Sequence, residues 1–314
     1  MKSQRWSHDH HHVHEHEHVH GHDEACGPGC PDAGRGGIGG FLRSLLAGIP
    51  WSERVEVIDT ITLAPPRSGV LRLDNANGMT RILGEDRADV EVRMQKVARA
   101  ESASAAEQMA REIRLARSDG DFGTALEVEV PRRWNRRGHA NLELRVPRGT
   151  RVEVSAANGK VCISGLGSGV RVRSSNVAVR VEDVAGDVEI HASNARLLCA
   201  GVRGRLVART SNGKIEIERH RGALDASSSN GLISAELEEL TGPVVLATSN
   251  GKIALELPEE VDADVDLRVD NGVIRNQRSL CRCTRSSGGR LTGQLGRGGV
   301  PIKLRTSNGS ISLR

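Results

Sequence analysis

From about residue 150 to the C-terminus, apolar and polar positions alternate in short runs that reset at Ser-Asn-Gly or a close variant of it. The marker Asn of each turn is Asn158, Asn176, Asn194, Asn212, Asn230, Asn250, Asn271 and Asn308. Six residues before these stand Val152, Val170, Val188, Leu206, Leu224, Val244, Val265 and Ile302; three after them stand Val161, Val179, Leu197, Ile215, Ile233, Ile253, Ile274 and Ile311. The residues between are mostly polar, such as Glu153, Arg171, Glu216 and Lys252. A period of two predicts short strands with one face toward a core and one toward solvent. The first four marker intervals are 18 residues, followed by 20, 21 and 37, and SSGG at 286–289 is the candidate for a degenerate copy in the widest gap.

Two strands per repeat allow a hairpin meander, since Asn-Gly favours tight hairpins, or successive coils of a solenoid. A meander does not require the same turn in register in every repeat. A solenoid does, because equivalent residues then stack about 4.8 Å apart and Asn amides can bond along the stack. A weaker series, Gly165, Gly186, Gly204, Gly222 and Gly242, suits a second corner. The pattern therefore favours an all-β fold: a single-stranded β-solenoid over 147–314, with an N-terminal strand and helix cap over 53–146.

The repeated VxVxSSNGKIxI pattern with Gly-punctuated return strands resembles the bacterial putative-adhesin family of β-strand-repeat proteins, a domain of unknown function, over roughly residues 53–314. That resemblance implies the architecture and, through the family name, surface attachment. It supplies no catalytic residues.

The segment before the repeats is less regular. RVEVIDTITL, GVLRLDNANGMTRIL and DVEVRMQKVA predict strands, the second with an imperfect turn at Asn77-Gly78. A helix is expected over 103–118, with Ser104 and Glu107 as a capping box, Met109, Ile113 and Ala116 on one face, and Gly120 as its stop. TALEVEVP and ANLELRVP predict two further strands joined by RRWNRRGH. Four Arg around Trp134 could clamp a nucleic acid, but a charged, soluble hairpin tip is the simpler reading.

Composition narrows the core. The chain has three Trp, two Phe and no Tyr, so its interior must be aliphatic, and 36 Gly against 10 Pro imply many tight turns. A net charge of +4 from 44 basic and 40 acidic residues does not demand a nucleic-acid partner. No secretory leader or apolar membrane span is seen, which makes the cytoplasm the expected compartment.

The sharpest chemistry precedes the repeats. His8, His10, His11, His12, His14, His16, His18, His20 and His22 hold nine of the twelve histidines. Extended or helical, such a tract brings two to four imidazoles to one divalent ion, so Ni, Zn, Cu or Co binding is expected of it, with no cofactor otherwise required. Cys26 and Cys30 of CGPGC are possible additional ligands. The tail and its Gly-rich linker, 1–37, are expected to be disordered. Residues 38–52 then read as a short amphipathic helix, for which packing on the solenoid end is favoured over membrane-surface contact by 38–51.

Elsewhere candidate chemistry is sparse. Cys199 falls in an inward slot with Ile163, Ile217 and Leu255, Cys162 in an outward one, and Cys281 and Cys283 in inward slots of the degenerate coil. Glu189, Glu216, Glu218, Glu236, Glu238 and Glu256 are spread over outward positions. The expected function is a non-catalytic scaffold or adhesin-like interaction protein that presents its solenoid face to an unknown macromolecule. The alternatives are a metal-handling protein on an oligomerising platform and a carbohydrate-active β-helix enzyme. Because the last repeat, with Ile311 and Leu313, closes the sequence, an open C-terminal edge suited to self-association is also expected.

Overall fold

A computed structural model describes residues 52–121, 123–286 and 289–314. The described residues form β-strands and one helix. In order it forms β1 (Glu53–Leu63), β2 (Val70–Glu85), β3 (Val90–Ala100), α1 (Ala103–Glu112), β4 (Arg114–Gly120), β5 (Gly123–Glu129), β6 (Arg137–Pro147), β7 (Arg151–Ser164) and β8 (Val170–Glu182). Then come β9 (Val188–Asn194), β10 (Leu197–Ala200), β11 (Leu206–Asn212), β12 (Ile215–Arg221), β13 (Leu224–Asn230), β14 (Ile233–Glu239), β15 (Val244–Asn250) and β16 (Ile253–Glu256). The last four are β17 (Ala263–Asn276), β18 (Cys281–Ser286), β19 (Arg290–Leu295) and β20 (Val300–Leu313).

The repeats form a solenoid. Each coil lies parallel to the next with its marker Asn in register: Asn158 opposite Asn176, Asn194 opposite Asn212, Asn212 opposite Asn230 and Asn230 opposite Asn250. The apolar positions six and four before the marker and three and five after it point inward, as in Val152, Val154, Val161 and Ile163, none more than 2% exposed. A third column, eight residues after the marker, is filled by Leu166, Val184 and Val202, so the coil has a third side. At the Asn-Gly corner the backbones stack so closely that a Cβ on Gly213, whose φ is 138°, would overlap the Ala195 carbonyl. Only glycine suits that φ and that approach.

The coils are not stacked in chain order. β2 carries the first coil, and Asn77 lies opposite Asn158 on β7. Between β2 and β7 the chain detours to build a cap on the outer side of β2. There β5 and β6 run parallel to its two halves, at Leu71–Asp74 and Thr80–Glu85. Antiparallel β4 extends β5, while β3 and then β1 extend β6.

At the other end the chain leaves the Asn250 coil, skips one slot and forms β17. It then adds the antiparallel strands β19 and β18 outside β17 and returns as β20 into the skipped slot. Thus Asn308 lies between Asn250 and Asn271.

This order corrects three sequence expectations. The coil of Asn308 is not an open edge, because β15 and β16 pair with one side of β20 and β17 with the other; Ile311 and Leu313 are both fully buried. Ser286, which opens SSGG, ends β18 opposite Arg290 of β19 in an antiparallel pairing and not in a coil of the stack. Cys281 and Cys283 do not fill inward slots; both are exposed, next to a register shift between Cys281 and Thr284.

The helix is also shorter than 103–118. Ser102 caps it, its hydroxyl accepting from the Ala105 N–H at 3.3 Å, and it stops at Glu112 because residues 114–120 are drawn into the β4–β5 pairing. Ser104 therefore lies inside the helix and Gly120 ends a strand. Met109 and Ala110 pack on Ala98, Val55 and Val57, which fixes the helix on the β1–β3 sheet.

Candidate functional site

The corner of the solenoid is its most regular chemical feature. Each marker side chain donates an amide N–H to the carbonyl oxygen of its neighbour. The order is Asn271 to Asn308 (3.0 Å), Asn308 to Asn250, Asn250 to Asn230, Asn230 to Asn212 and Asn212 to Asn194 (each 2.9 Å), Asn194 to Asn176 (3.0 Å), Asn176 to Asn158 (3.4 Å) and Asn158 to Asn77 (2.9 Å). The direction never reverses, so each amide polarises the next. Asn77, read from sequence only as an imperfect turn, is the ninth rung. Its signal was there in Leu71, Leu73 and Ile82, which keep the inward spacing of the later coils.

In the ladder an Asn uses one N–H and one oxygen lone pair, leaving one of each for outside partners. Ser175, Ser193, Ser211, Ser229 and Ser249 stand exposed beside the rungs. Together they make a ridge of hydroxyl and amide groups repeating at about the 4.8 Å strand spacing.

The outward charges form cross-coil pairs. Arg72 meets Glu153 at 3.1 Å, Arg171 meets Glu189 at 2.7 Å, Arg209 meets Asp225 at 3.0 Å and Arg196 meets Glu216 at 2.9 Å. The Arg171 guanidinium and then His191 hold the Glu189 carboxyl below its ordinary value. Burial opposes the same shift at Glu216, but hydrogen bonds from Lys214 and Arg196 bring it below the ordinary value. Arg221 does the same for Glu238. Glu236 lies directly across from Glu256 on the next coil, both exposed, and neither hydrogen-bonds to another acid.

Among the described residues no three His, Cys, Asp or Glu side chains converge to hold a metal ion. Cys199 is fully buried and its thiol is pushed up to about 12. Burial also raises Cys162, which is half-buried. The histidines from His8 to His22, with Cys26 and Cys30, lie outside the described residues, as do 38–51.

His220 occupies the third-side column otherwise filled by Leu166, Val184 and Val202. Its Nδ1 lies 3.0 Å from the Val202 oxygen and its Nε2 lies 3.2 Å from the Ala223 oxygen. Burial pushes its pKa down, against the backbone carbonyls, which favour the protonated ring.

The repeat is broken most clearly in the cap. In β2 the corner takes the five residues between Asp74 and Thr80, whereas the β5–β6 coil uses the whole of 128–141 for the same turn. That insertion and the Asn77 and Asn158 corners line a cleft of about 1090 Å³, together with Arg114, Arg132, Arg133, Arg136 and Arg137 and with Glu112, Glu127 and Glu129. Arg133 pairs with Glu112 at 3.1 Å and Arg136 with Glu101 at 3.0 Å, pinning the turn to both ends of α1.

The profile of the Toastrack DUF4097 family matches residues 70–314, which takes in every coil of the stack and most of the N-terminal cap. The chain belongs to that family. Two solved structures are similar to it. A putative adhesin from Bacteroides fragilis shares 10% identity, covering 84% of this chain and 99% of that one, with a TM-score of 0.46. A putative cell adhesion protein from Clostridium sporogenes shares 11% identity, covering 83% and 99%, with a TM-score of 0.24. No curated protein matches the sequence. On this Toastrack architecture the chain carries a polar ridge, paired charges and an enlarged cap corner.

Proposed function

We propose that this Toastrack protein is a non-catalytic, adhesin-like scaffold that holds a macromolecular partner on its outward surface, with the histidine tail acting as a divalent-metal-binding arm. The observation that carries the reading is the contrast between an unbroken ladder and dispersed acids. The Asn and Ser side chains form one continuous, outward polar ridge, while acids such as Glu189, Glu216 and Glu238 are tied to arginines of adjacent coils and no three described acids, histidines or cysteines converge on one point. A rigid rail with little chemistry along it suits recognition of an extended partner.

A photo-crosslinking residue at Ser211 or Ser249 tests the scaffold role, with the same residue at exposed Val245, away from the Asn corner, as control. A small, discrete set of adducts from the ridge positions alone is expected in host cells. Adducts no different from the control would contradict a ridge partner. For the tail, calorimetry with Ni(II) or Zn(II) is expected to give tight binding by the full chain that is abolished when His8–His22 are replaced by Ala. Its affinity falls as pH drops through about 6.5, since only neutral imidazole is a ligand. If removing residues 1–34 lowers the metal content of the host and nothing else, the tail is the function and the solenoid only its platform.

A further inference from the structure

The 128–141 insertion presents Trp134 in a way that packing does not explain. The side chain is 91% exposed, the most exposed large apolar residue in the described chain. It sits at the tip of a tight turn closed by the Arg133–Arg136 bridge, with Asn135 in the left-handed region at φ 58°. The two ion pairs to Glu112 and Glu101 hold the turn from both sides. An indole held out on an anchored turn loses little conformational freedom when it binds, which is what a recognition anchor needs.

Arg133 and Arg136 line both the hollow beside Trp134 and the neighbouring cleft, so Trp134 belongs to the turn that borders the cleft. The cleft floor is the first end of the Asn ladder. Asn77 accepts from Asn158 and donates to no side chain among the described residues, so its amide N–H groups are left for a ligand. Insertions in a single repeat of a solenoid commonly build its binding face.

We infer that this cleft binds a glycan chain, with one pyranose ring stacked on Trp134 and neighbouring sugar hydroxyls bonded by the Arg and Glu side chains and by Asn77. The charge pattern selects this class. Glu112, Glu127 and Glu129 are interspersed among Arg114, Arg132, Arg133, Arg136 and Arg137. This mixture of donors and carboxylate acceptors, unlike the all-basic track that follows a phosphate backbone charged about every 1.7 Å in duplex form, matches neutral polar groups. Sugar hydroxyls both donate and accept, so mixed Arg and Glu side chains can serve them. A bilayer is poorly suited, since Trp134 is the only exposed large apolar side chain on the turn and stable membrane attachment takes more than one anchoring signal. The inference deepens the scaffold reading by naming a ligand class for the cap. It can fail while the Ser-Asn ridge still holds a partner.

The test uses the full chain with Trp6→Phe and Trp51→Phe, which leaves Trp134 as the sole indole. Chitohexaose and hexagalacturonate are titrated in, as neutral and acidic probes. A saturable blue shift of emission with protection from acrylamide quenching is expected for at least one of them. Both sugars are also titrated calorimetrically against the chain with all three Trp residues. There Trp134→Ala is expected to weaken binding at least tenfold and Glu127→Gln severalfold, with melting temperatures unchanged. If neither sugar perturbs Trp134, or Trp134→Ala leaves the affinity unaltered, the inference is overturned. It is equally overturned if a single-stranded oligonucleotide or anionic vesicles protect the indole and the sugars do not.

Discussion

At the N-terminal end of the stack the outermost coil is followed by antiparallel strands on both faces, β4 beyond β5 and β3 with β1 beyond β6, whereas at the C-terminal end only one face of β17 is extended. β19 pairs with Ala263–Arg268, and no described strand covers the outer side of Asn271–Asn276. Both ends are nonetheless made by the same device. The chain detours outward and then returns to a slot nearer the middle, so that parallel coils give way to antiparallel ones. The comparison teaches that the order of coils in a solenoid need not be the order of the chain. An edge left by the detour, and not the last residue of the sequence, decides where further pairing can occur. The terminal strands β1, β4 and β18 carry charges such as Glu56, Asp59, Arg114, Arg117 and Arg282, a usual protection for edges. Asn271–Asn276 carries only Arg275, beside Val273 at 55% exposure.

The largest effect should come from emptying the slot to which the chain returns. Removing residues 300–314 takes away Ile302, Leu304, Ile311 and Leu313, all essentially buried, each contributing about 1.5–3 kcal/mol, and leaves the Asn250 and Asn271 coils without their shared neighbour. Hydrogen exchange should then show β17–β19 unprotected while β7–β12 remain slow to exchange. Retained protection over 263–295 would mean that β17 can close on β15 unaided.

Next in size is the difference between the middle and the end of the ladder. Asn212→Ala removes two amide bonds, from Asn230 and to Asn194, at about 0.5–1.5 kcal/mol each. Asn271→Ala removes only the bond to Asn308 and should cost about half as much in denaturant melts. Equal costs would show that the rungs act independently of their place.

A smaller, pH-dependent effect belongs to His220. Its folded pKa is depressed by burial, so its stability contribution is complete above the unfolded value of about 6.5 and is lost as pH falls below it toward the folded value. His220→Leu restores the aliphatic column of Leu166, Val184 and Val202 and should flatten part of the decline in melting temperature below pH 6.5. His139, also lowered by burial and then by Arg54 and Arg99, keeps a share of that slope. An unchanged slope in the variant would remove His220 from the account.

Val273→Lys should be the mildest change, within about 0.5 kcal/mol of neutral in stability, because the side chain is exposed. Its measurable consequence is on association. If Asn271–Asn276 is the weak edge, any concentration-dependent oligomer seen by sedimentation diminishes in the variant, and Val245→Lys on the sheet face leaves it unaltered.

Much of the coil was legible in sequence because its determinants are local. Alternation at Val152, Val154, Val161 and Ile163 sets the strand faces, and the Ser-Asn-Gly turn sets the corner. The exchange of β17 and β20 was not legible, since Val265 and Ile302, or Leu267 and Leu304, offer either slot the same aliphatic shape. The end of the helix is not set by its own sequence either. Met109, Ile113 and Ala116 fit a helical face, but residues 114–120 gain a strand partner in 123–129, and that pairing overrides the local pattern. In the cap cleft, Trp134 and its arginines were visible as residues. Their anchoring could not be seen, because Glu101 and Glu112 lie at the two ends of a helix whose position only the fold determines.

Cross-linking tests the return of β20 into the skipped slot most directly. Ala247 lies opposite Arg305, so Ala247→Cys with Arg305→Cys places two Cβ atoms on adjacent strands, within disulfide reach. Stacking in chain order would instead set Ala247 beside Arg268 and put Arg305 two strands away, at about 9.6 Å, beyond that reach. Mild oxidation followed by peptide mapping should give the 247–305 disulfide in high yield and little from Ala247→Cys with Arg268→Cys. Ready formation of the 247–268 bridge with none between 247 and 305 would contradict the inserted C-terminal coil.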